Sequence, residues 1–288
     1  MSKKVFFVYR YQILPISSNL QIRLDSNYNS IDELIENKNK ILGKIIIDEK
    51  ANYRGKGYNV ISKHEASDGG IHFLRMGVEK MLSIHDKEFK SKTEFDYPNS
   101  LVYINNDPEQ QLILIEHEFN AFYKPKALKN IIEKTWNLYL KEEGLTAYFS
   151  EITEASEFWD TILYYKGKIK ALNFTFIRPN MANISGKAVN AIKILKNQSN
   201  SHKTTLGLNA PKKGVLENIT PENEEISDLV DYQAKGGGNA TIRIKGSRKK
   251  IKTSKKQVTF EVDEATIENV PFNKVSQVLE SFINTMDG

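Results

Sequence analysis

The sequence of 288 residues contains no cysteine, only two tryptophans and only eight prolines. The lack of cysteine excludes disulfides, thiolate nucleophiles, cysteine-ligated zinc and cysteine-bound iron–sulfur clusters. No apolar run approaches the roughly 18 residues that a membrane-spanning helix needs. Polar residues interrupt the apolar stretch near the start, and no small-residue cleavage site follows it. These absences predict a cytoplasmic protein that does not insert into a membrane.

Apolar residues are abundant enough for a folded core, because hydrophobic residues make up 40% of the chain and aromatic residues 10%. This length allows one large domain or two ordinary ones, since domains usually span about 100–200 residues. We expect a β-rich α+β domain over residues 1–122 and a second α+β domain over residues 123–288. A single continuous sheet across this boundary is equally compatible with the sequence.

Hydrophobic periodicity and turn residues predict the order of the secondary structure elements. The predicted strands cover about residues 5–13, 58–63, 71–76, 101–104, 112–115, 145–149, 169–177, 204–208, 241–244 and 258–262. The predicted helices cover about residues 31–45, 125–143, 156–165, 186–197, 222–234 and 272–283. Residues 78–98 are polar and indicate neither type. The mixture predicts an α+β fold with mixed or mainly antiparallel sheets, flanking helices and a basic C-terminal hairpin.

Charge is segregated in the last quarter of the chain. The segment from residue 243 to residue 256 contains eight basic residues and no acid: Arg243, Lys245, Arg248, Lys249, Lys250, Lys252, Lys255 and Lys256. Subtracting these eight charges from the net charge of +5 leaves −3 for the rest of the chain. The preceding residues 216–234 contain six acids and no base. The basic character of the protein therefore belongs to one segment.

Predicted strands on both sides of this basic segment would place its charges on the tip and rim of a long hairpin, residues 243–256. Nucleic acids bind such a surface through their phosphates, with release of counterions. Two other interpretations remain open. The lysines could solubilise the hairpin and prevent edge-to-edge pairing, or the segment could dock onto the acidic residues 222–231 of its own or a neighbouring chain. We assign the eight basic residues to nucleic-acid contact, with DNA as the expected ligand and RNA as an open choice.

No catalytic signature stands out in the sequence. The five histidines form no pair with the spacing of a metal site. Glu116, His117 and Glu118 are the densest ionisable cluster, and their carboxylates could serve a metal-dependent nuclease. However, the Glu-x-Lys spacing of restriction-type nucleases is absent from the predicted hairpin over residues 101–118, which contains this cluster. We therefore assign no catalytic residue, no metal ligand and no cofactor.

Three adjacent glycines, Gly236–Gly238, follow a predicted helix and precede a predicted strand. A phosphate-binding loop has the opposite polarity, with its glycines after a strand and before a helix. We therefore interpret these glycines as a flexible hinge below the basic hairpin.

The order of elements resembles a known family. An aromatic first strand with Tyr9–Arg10, a central hairpin over Leu101–Ile115, a long helix, a strand over Ile169–Pro179 and a lysine-rich C-terminal part are arranged as in the Rex exclusion protein A family of lambdoid phages and similar bacterial phage-defence proteins. The resemblance covers most of the chain as a pattern and includes no diagnostic motif. It implies an intracellular, dimeric DNA-binding protein that senses or regulates in an exclusion system whose effector is a second protein.

We therefore expect a non-enzymatic, mainly sequence-independent DNA-binding protein, a homodimer, that acts in anti-phage defence. One alternative is a metal-dependent nuclease effector of an abortive-infection system. Another is a protein-interaction module that recruits or inhibits a partner.

Overall fold

The computed structural model describes residues 2–17, 28–177, 201–268 and 270–287, together with the isolated residues 190 and 194. The described strands are β1 (Lys3–Pro15), β2 (Tyr53–Arg54), β3 (Asn59–Asp68), β4 (Ile71–Gly77), β5 (Lys80–His85), β6 (Ser91–Asp96), β7 (Asn99–Asn105), β8 (Leu112–Glu116), β9 (Leu145–Glu151), β10 (Ile169–Ile177), β11 (Lys203–Asn209), β12 (Gly238–Ile244), β13 (Ile251–Lys252) and β14 (Thr259–Asp263). The described α-helices are α1 (Ile31–Ile47), α2 (Pro125–Glu142), α3 (Ala155–Tyr164), α4 (Glu224–Tyr232) and α5 (Phe272–Asp287). The predicted α+β class is confirmed.

The strands form two main sheets and one ribbon, and all their described pairings are antiparallel. The large sheet has the order β14-β1-β8-β7-β4-β3-β2, and β9 also pairs with β1. The small sheet has the order β11-β10-β12-β13. Strands β5 and β6 form a separate two-stranded ribbon from residues for which the sequence predicted no element.

The large sheet is covered on both faces, which explains why β1 is buried along most of its length. On one face, Tyr9, Tyr11 and Ile13 pack with the apolar sides of α1 and α2. On the other face, Phe6 and Val8 pack with the apolar side of α5. The alternation of side chains along a strand sends neighbouring residues to opposite faces. A strand with two covered faces then needs apolar side chains on both of them, as Val5–Tyr9 of β1 show, and Arg10 and Gln12 are buried polar exceptions further along the strand.

The start of α1 illustrates how the sequence determines a helix end. The Ser30 hydroxyl accepts a hydrogen bond from the Glu33 backbone N–H at 3.1 Å, and the Glu33 carboxylate accepts one from the Asn29 N–H at 2.7 Å. This arrangement satisfies N–H groups that have no partner inside the helix. The predicted start is confirmed. The predicted helix over about residues 186–197 lies outside the described residues apart from two positions.

The large sheet continues past the predicted domain boundary between residues 122 and 123. Strand β9 pairs with β1 over seven residue pairs, from Tyr9 opposite Glu151 to Pro15 opposite Leu145. Helix α2, which begins at Pro125, packs on the same sheet through Leu128, Ile132 and Trp136. Strand β14, near the end of the chain, pairs with the first half of β1. The elements on either side of the boundary therefore share one core, and the division into two domains stays a prediction.

The three adjacent glycines are close-packed, and the interpretation of a flexible hinge was wrong. Gly236 and Gly237 are buried in a π-helical turn, Gln233–Gly237, that leads from α4 into β12. A β-carbon on Gly236 would lie 2.7 Å from the Arg10 β-carbon, and one on Gly238 would lie 1.9 Å from the Thr175 carbonyl oxygen. Glycine is needed here because backbone and neighbouring side chains approach too closely for any other residue. The turn thereby joins the small sheet to β1 of the large sheet.

Candidate nucleic-acid interface

The small sheet has one apolar face and one polar face. Along β10, Leu172, Phe174 and Phe176 are fully buried, and they pack with apolar residues of α3 and α4. Asn173 and Thr175 alternate with them and therefore point to the opposite side of the sheet. Among the described residues, these two helices cover the apolar face.

We call the opposite side the outer face and define it by the residues that the strand register places there. These are Lys203, Thr205, Gly207 and Asn209 of β11, Ala171, Asn173, Thr175 and Ile177 of β10, Asn239, Thr241 and Arg243 of β12, and Lys252 of β13. The four residues of β11 are all exposed, as are Asn239, Arg243 and Lys252. No residue of the outer face is acidic. The face therefore carries three positive charges and no negative one.

The three cations of the outer face are widely spaced. Lys203 pairs with Ile177 of β10, and Arg243 pairs with Ala171 near the other end of the same strand. The two cations are therefore about 20 Å apart. Lys252 lies opposite Thr241, one strand further out than Arg243. In the described part of the chain, none of the three forms an ion pair within 4 Å. The charges of Lys203 and Arg243 remain available to an external anion, and Lys252 is exposed but also lies near the Glu151 carboxylate.

A second group of cations lies at the end of the small sheet where β10 begins and where β11 and β12 end. The Lys245 N–H donates to the Lys168 carbonyl at 2.7 Å, and the Ala210 N–H donates to the Lys170 carbonyl at 2.9 Å. Three connections therefore meet at this edge, which we call the loop end. Its exposed basic residues are Lys166, Lys168, Lys212, Lys213, Lys245, Arg248, Lys249 and Lys250.

The structure divides the eight predicted contact residues among three places. Arg243 and Lys252 lie on the outer face, whereas Lys245, Arg248, Lys249 and Lys250 belong to the loop end. Lys255 and Lys256 follow the small sheet on the way to β14, and Lys256 forms an ion pair with Glu154 at 3.3 Å. All eight side chains are exposed.

The long basic hairpin is not confirmed, because the strands that should flank it belong to different sheets. Strand β12 pairs with the two-residue strand β13 in the small sheet, whereas β14 pairs with β1 in the large sheet. Val262 of β14 is buried against α5, and the Phe260 ring stacks on Phe282 at 4.2 Å. Burial of these two side chains favours pairing with β1 over a local hairpin.

Five cations near the interface were missed by the sequence reasoning: Lys203 on the outer face, and Lys166, Lys168, Lys212 and Lys213 at the loop end. They lie 30 to 80 residues before the basic segment, and only the pairing of β10 with β11 and β12 brings them beside it. A local signal was present in β11, where apolar Leu206 and Leu208 alternate with polar or small residues.

Four of the six acidic residues that precede the segment lie on α4, and the other two, Glu217 and Glu222, come just before this helix. Its apolar side, with Ile226, Leu229 and Val230, packs into the core of the small sheet, which leaves Glu224 and Glu225 exposed. Within the described residues, no ion pair joins the basic segment to this helix. Docking of the segment on the acidic helix of its own chain therefore has no support from the contacts.

A polar cleft of about 170 Å³ borders the outer face beside Lys252. Glu151, on its wall, forms an ion pair with Lys126 at 2.6 Å. Burial by itself would raise the pKa of Glu151, but the hydrogen bond and charge of Lys126, with smaller effects from Lys252 and Lys129, lower that pKa below its ordinary value. Glu151 thus stays ionised at neutral pH, and its charge is directed toward lysines of the chain.

The carboxylates considered for metal catalysis have structural partners. Glu116 is 5% exposed, forms an ion pair with Lys4 at 2.8 Å and accepts a hydrogen bond from the Leu101 N–H at 2.9 Å. Burial would lower the pKa of Lys4, but Glu116, Glu268 and Glu264 together raise it above its ordinary value. Across the described ranges, no three histidine, aspartate or glutamate side chains form a group that could hold a metal ion.

Replacing Glu116 with alanine is expected to lower the free energy of unfolding by about 1–3 kcal/mol, because a buried N–H would lose its partner. Urea denaturation of the wild type and the variant measures this. Glu109→Ala, at an exposed position of the turn between β7 and β8, is the matched control and should change stability by less than about 0.5 kcal/mol. Equal effects of the two substitutions would contradict the structural role of Glu116.

Among the described residues, no helix is both long enough and apolar enough to cross a membrane. No known protein-family model matches the chain, and no curated protein sequence matches it significantly.

Proposed function

We propose that this chain is a DNA-binding protein that contacts phosphates with the outer face of the small sheet and with the loop end. The observation that carries the proposal is the acid-free outer face, with Lys203, Arg243 and Lys252 exposed and without an ion pair in the described part of the chain. Lysine and arginine side chains on a surface of one sign attract polyanions and release their counterions.

The shape of the small sheet favours contact with the backbone over base reading. Four paired strands span about 14 Å from first to last backbone, whereas the major groove of DNA is about 12 Å wide. An element that reads base edges there is a helix or a two-stranded ribbon. The small sheet is too wide to enter the groove, so its cations meet phosphates from outside. We therefore expect binding to be mainly independent of sequence.

Fluorescence anisotropy with labelled duplexes at several salt concentrations tests this function. The logarithm of the affinity should fall linearly with the logarithm of the salt concentration, with a slope of about −2.7 from the three outer-face cations alone. Each contact from the loop end should add about −0.9. Two duplexes of unrelated sequence should give the same slope and similar affinities. Absence of binding at low salt, or an affinity that does not change with salt, would contradict the proposal.

The same titration with single-stranded DNA and with duplex RNA decides between the nucleic acids. Single strands give a smaller slope for each neutralised phosphate, about −0.7. The outer face has no aromatic residue for base stacking, which is the main source of affinity for single strands. We therefore expect duplex DNA to bind more tightly than single-stranded DNA of the same length.

The biological part of the proposal is that the chain acts as a homodimer that senses or regulates in anti-phage defence, together with a second protein as effector. Its support is the resemblance in the order of elements to Rex exclusion proteins. Light scattering measures the dimer. Plaque counts on cells that express the wild type, with and without substitution of the outer-face cations, measure the defence role. Equal plaque counts for expressing and non-expressing cells would remove this part of the proposal.

A further inference from the structure

A cavity of about 510 Å³ lies beside the loop end, on the side of the small sheet that packs against α3. Its walls are mainly apolar and come from α3, from the start of β10 and from the loop over residues 215–221. The apolar side chains that line it are Trp159, Ile162, Leu163, Ile169, Leu216 and Ile219. Sites for small molecules usually have volumes of about 300–1,000 Å³ and mostly apolar walls with a few polar groups. Both properties are present here.

The outer wall of this cavity is fixed in place. The Leu216 N–H donates to the Ile169 carbonyl at 2.8 Å, which ties the start of the wall to β10. The Lys170 ammonium donates to the carbonyl oxygens of Pro211, Lys212 and Gly214, just before the wall begins. Asn223, beyond the wall, donates from its side-chain amide to the Asn218 carbonyl at 3.2 Å. Because both ends are anchored, the cavity exists before any ligand binds.

One aromatic ring on the inner wall offers a stacking surface. Trp159 is half-buried, and the neighbouring Phe158 ring contacts it edge-on. The two ring centroids are 4.9 Å apart, and the angle between the ring planes is 89°. A tryptophan with one side packed in the core and another side in a cavity is suited to a flat aromatic ligand. Heteroaromatic bases stack on such rings whatever their sequence identity.

The charged groups of the cavity have both signs. Asp160 and Glu217 are exposed carboxylates on its wall, and Lys166 is an exposed ammonium on the same wall. Lys168, Lys212 and Lys213 follow on neighbouring connections at the loop end. Carboxylates only accept hydrogen bonds when ionised, so they select ligand groups that donate. Lysines in turn select phosphate or another anion.

The geometry points to a nucleotide site in this cavity, with the base against Trp159, donor groups of the base toward Asp160 and Glu217, and the phosphate toward Lys166. A base with two adjacent donors, such as guanine with its ring N–H and exocyclic amine, matches a carboxylate better than uracil, which offers one ring N–H. The nucleotide is either free in solution or an unstacked guanine of a bound strand, since the cavity lies beside the loop end, where we propose that DNA binds. This inference extends beyond DNA binding and does not require it.

The test uses GMP as the free nucleotide, UMP as the comparison and the fluorescence of Trp159 as one readout. The only other tryptophan, Trp136, is fully buried in the core of the large sheet and serves as an internal reference. We expect GMP to change the fluorescence in a saturable way and to bind about tenfold more tightly than UMP, a typical gain for one good bidentate contact. Calorimetry measures the same affinities without an optical probe.

Three single substitutions separate the parts of the site. Trp159→Leu removes the stacking surface and should weaken GMP binding at least about tenfold. Glu217→Gln should reduce the preference for GMP over UMP, and Lys166→Gln should weaken both nucleotides while leaving that preference. Glu217 and Lys166 are exposed, so the last two variants keep the test valid if Trp159→Leu destabilises the fold. Lys87→Gln, on the loop of the ribbon, is the matched control and should bind GMP like the wild type.

A second arm distinguishes the two sources of the nucleotide. If GMP alone does not bind, a 5′-phosphorylated oligodeoxyguanylate is titrated, and an affinity that falls with Glu217→Gln and Lys166→Gln supports the strand as the source. The inference is overturned if neither probe binds the wild type, or if binding is unchanged in all three variants. Substitution of Lys203, Arg243 and Lys252 should leave GMP binding intact. Absence of duplex binding by the wild type, together with saturable GMP binding, would therefore overturn only the proposed function.

Discussion

Replacing Lys203, Arg243 and Lys252 together with glutamine is expected to lower the affinity for duplex DNA by about two to three orders of magnitude at 0.1 M salt. Three lost phosphate contacts should reduce the salt slope by about 2.7. Over the tenfold range from 1 M to 0.1 M salt, this change in slope lowers the affinity by about 2.7 orders of magnitude. The three side chains are exposed, with no ion pair in the described part of the chain. Their substitution should leave the melting temperature almost unchanged.

A matched control keeps the loss of net charge equal. Lys44 on α1 and Lys87 and Lys92 of the ribbon are also exposed lysines, and their change to glutamine removes three charges outside the interface. Anisotropy titrations of both triple variants at several salt concentrations give the two slopes. We expect the control slope to stay within one contact, about 0.9, of the wild type. Equal losses in the two variants would show that net charge alone determines binding.

Replacing Gly238 with alanine is expected to lower the free energy of unfolding by at least about 3 kcal/mol, or to prevent soluble expression. A β-carbon at this position would lie 1.9 Å from the carbonyl oxygen of Thr175 in β10, and the backbone has φ of 155°. The oxygen belongs to an inner strand of the small sheet, so relief of the overlap would separate β12 from β10. Overpacking and backbone strain together account for the expected loss.

Gly246→Ala isolates the packing part of this effect. Gly246 also has a positive φ, of 78°, but an added β-carbon there meets no atom within 4 Å. Its substitution should cost only the backbone strain, about 1 kcal/mol. Urea denaturation of the two variants measures the difference. A Gly238→Ala variant as stable as Gly246→Ala would show that the turn between α4 and β12 is loose.

Local patterns were sufficient to predict most elements of the fold. The capping residues before α1, the apolar alternation in β10 and the continuous apolar run in β7 depend on neighbours within a few residues, and each element was found where its pattern indicated. Long-range pairing was not predictable in this way. Strand β14 pairs with β1 across some 250 residues of sequence, because Phe260 and Val262 find their apolar partners there.

The interface shows the same division. The basic segment was evident from its charges, since eight cations without an acid need no structure to be noticed. Its arrangement was not, because Lys203 joins Arg243 and Lys252 only through the pairing of β11, β10, β12 and β13. The absence of acids on one face is a property of four strands together. The glycines were misread for the same reason, since the atoms nearest to an added β-carbon belong to β1 at Gly236 and to β10 at Gly238.

Site-directed photocrosslinking measures most directly whether the outer face binds DNA. A photoreactive residue is introduced at Thr205, an exposed position of the outer face, and separately at Thr93, an exposed position of the ribbon, where residues 80–96 carry equal numbers of acids and bases. Both variants are irradiated with labelled duplex DNA at low salt. We predict a crosslinked product from position 205 that disappears as the salt concentration rises, and little product from position 93. A crosslink from position 93 with none from position 205 would contradict the assignment of the interface.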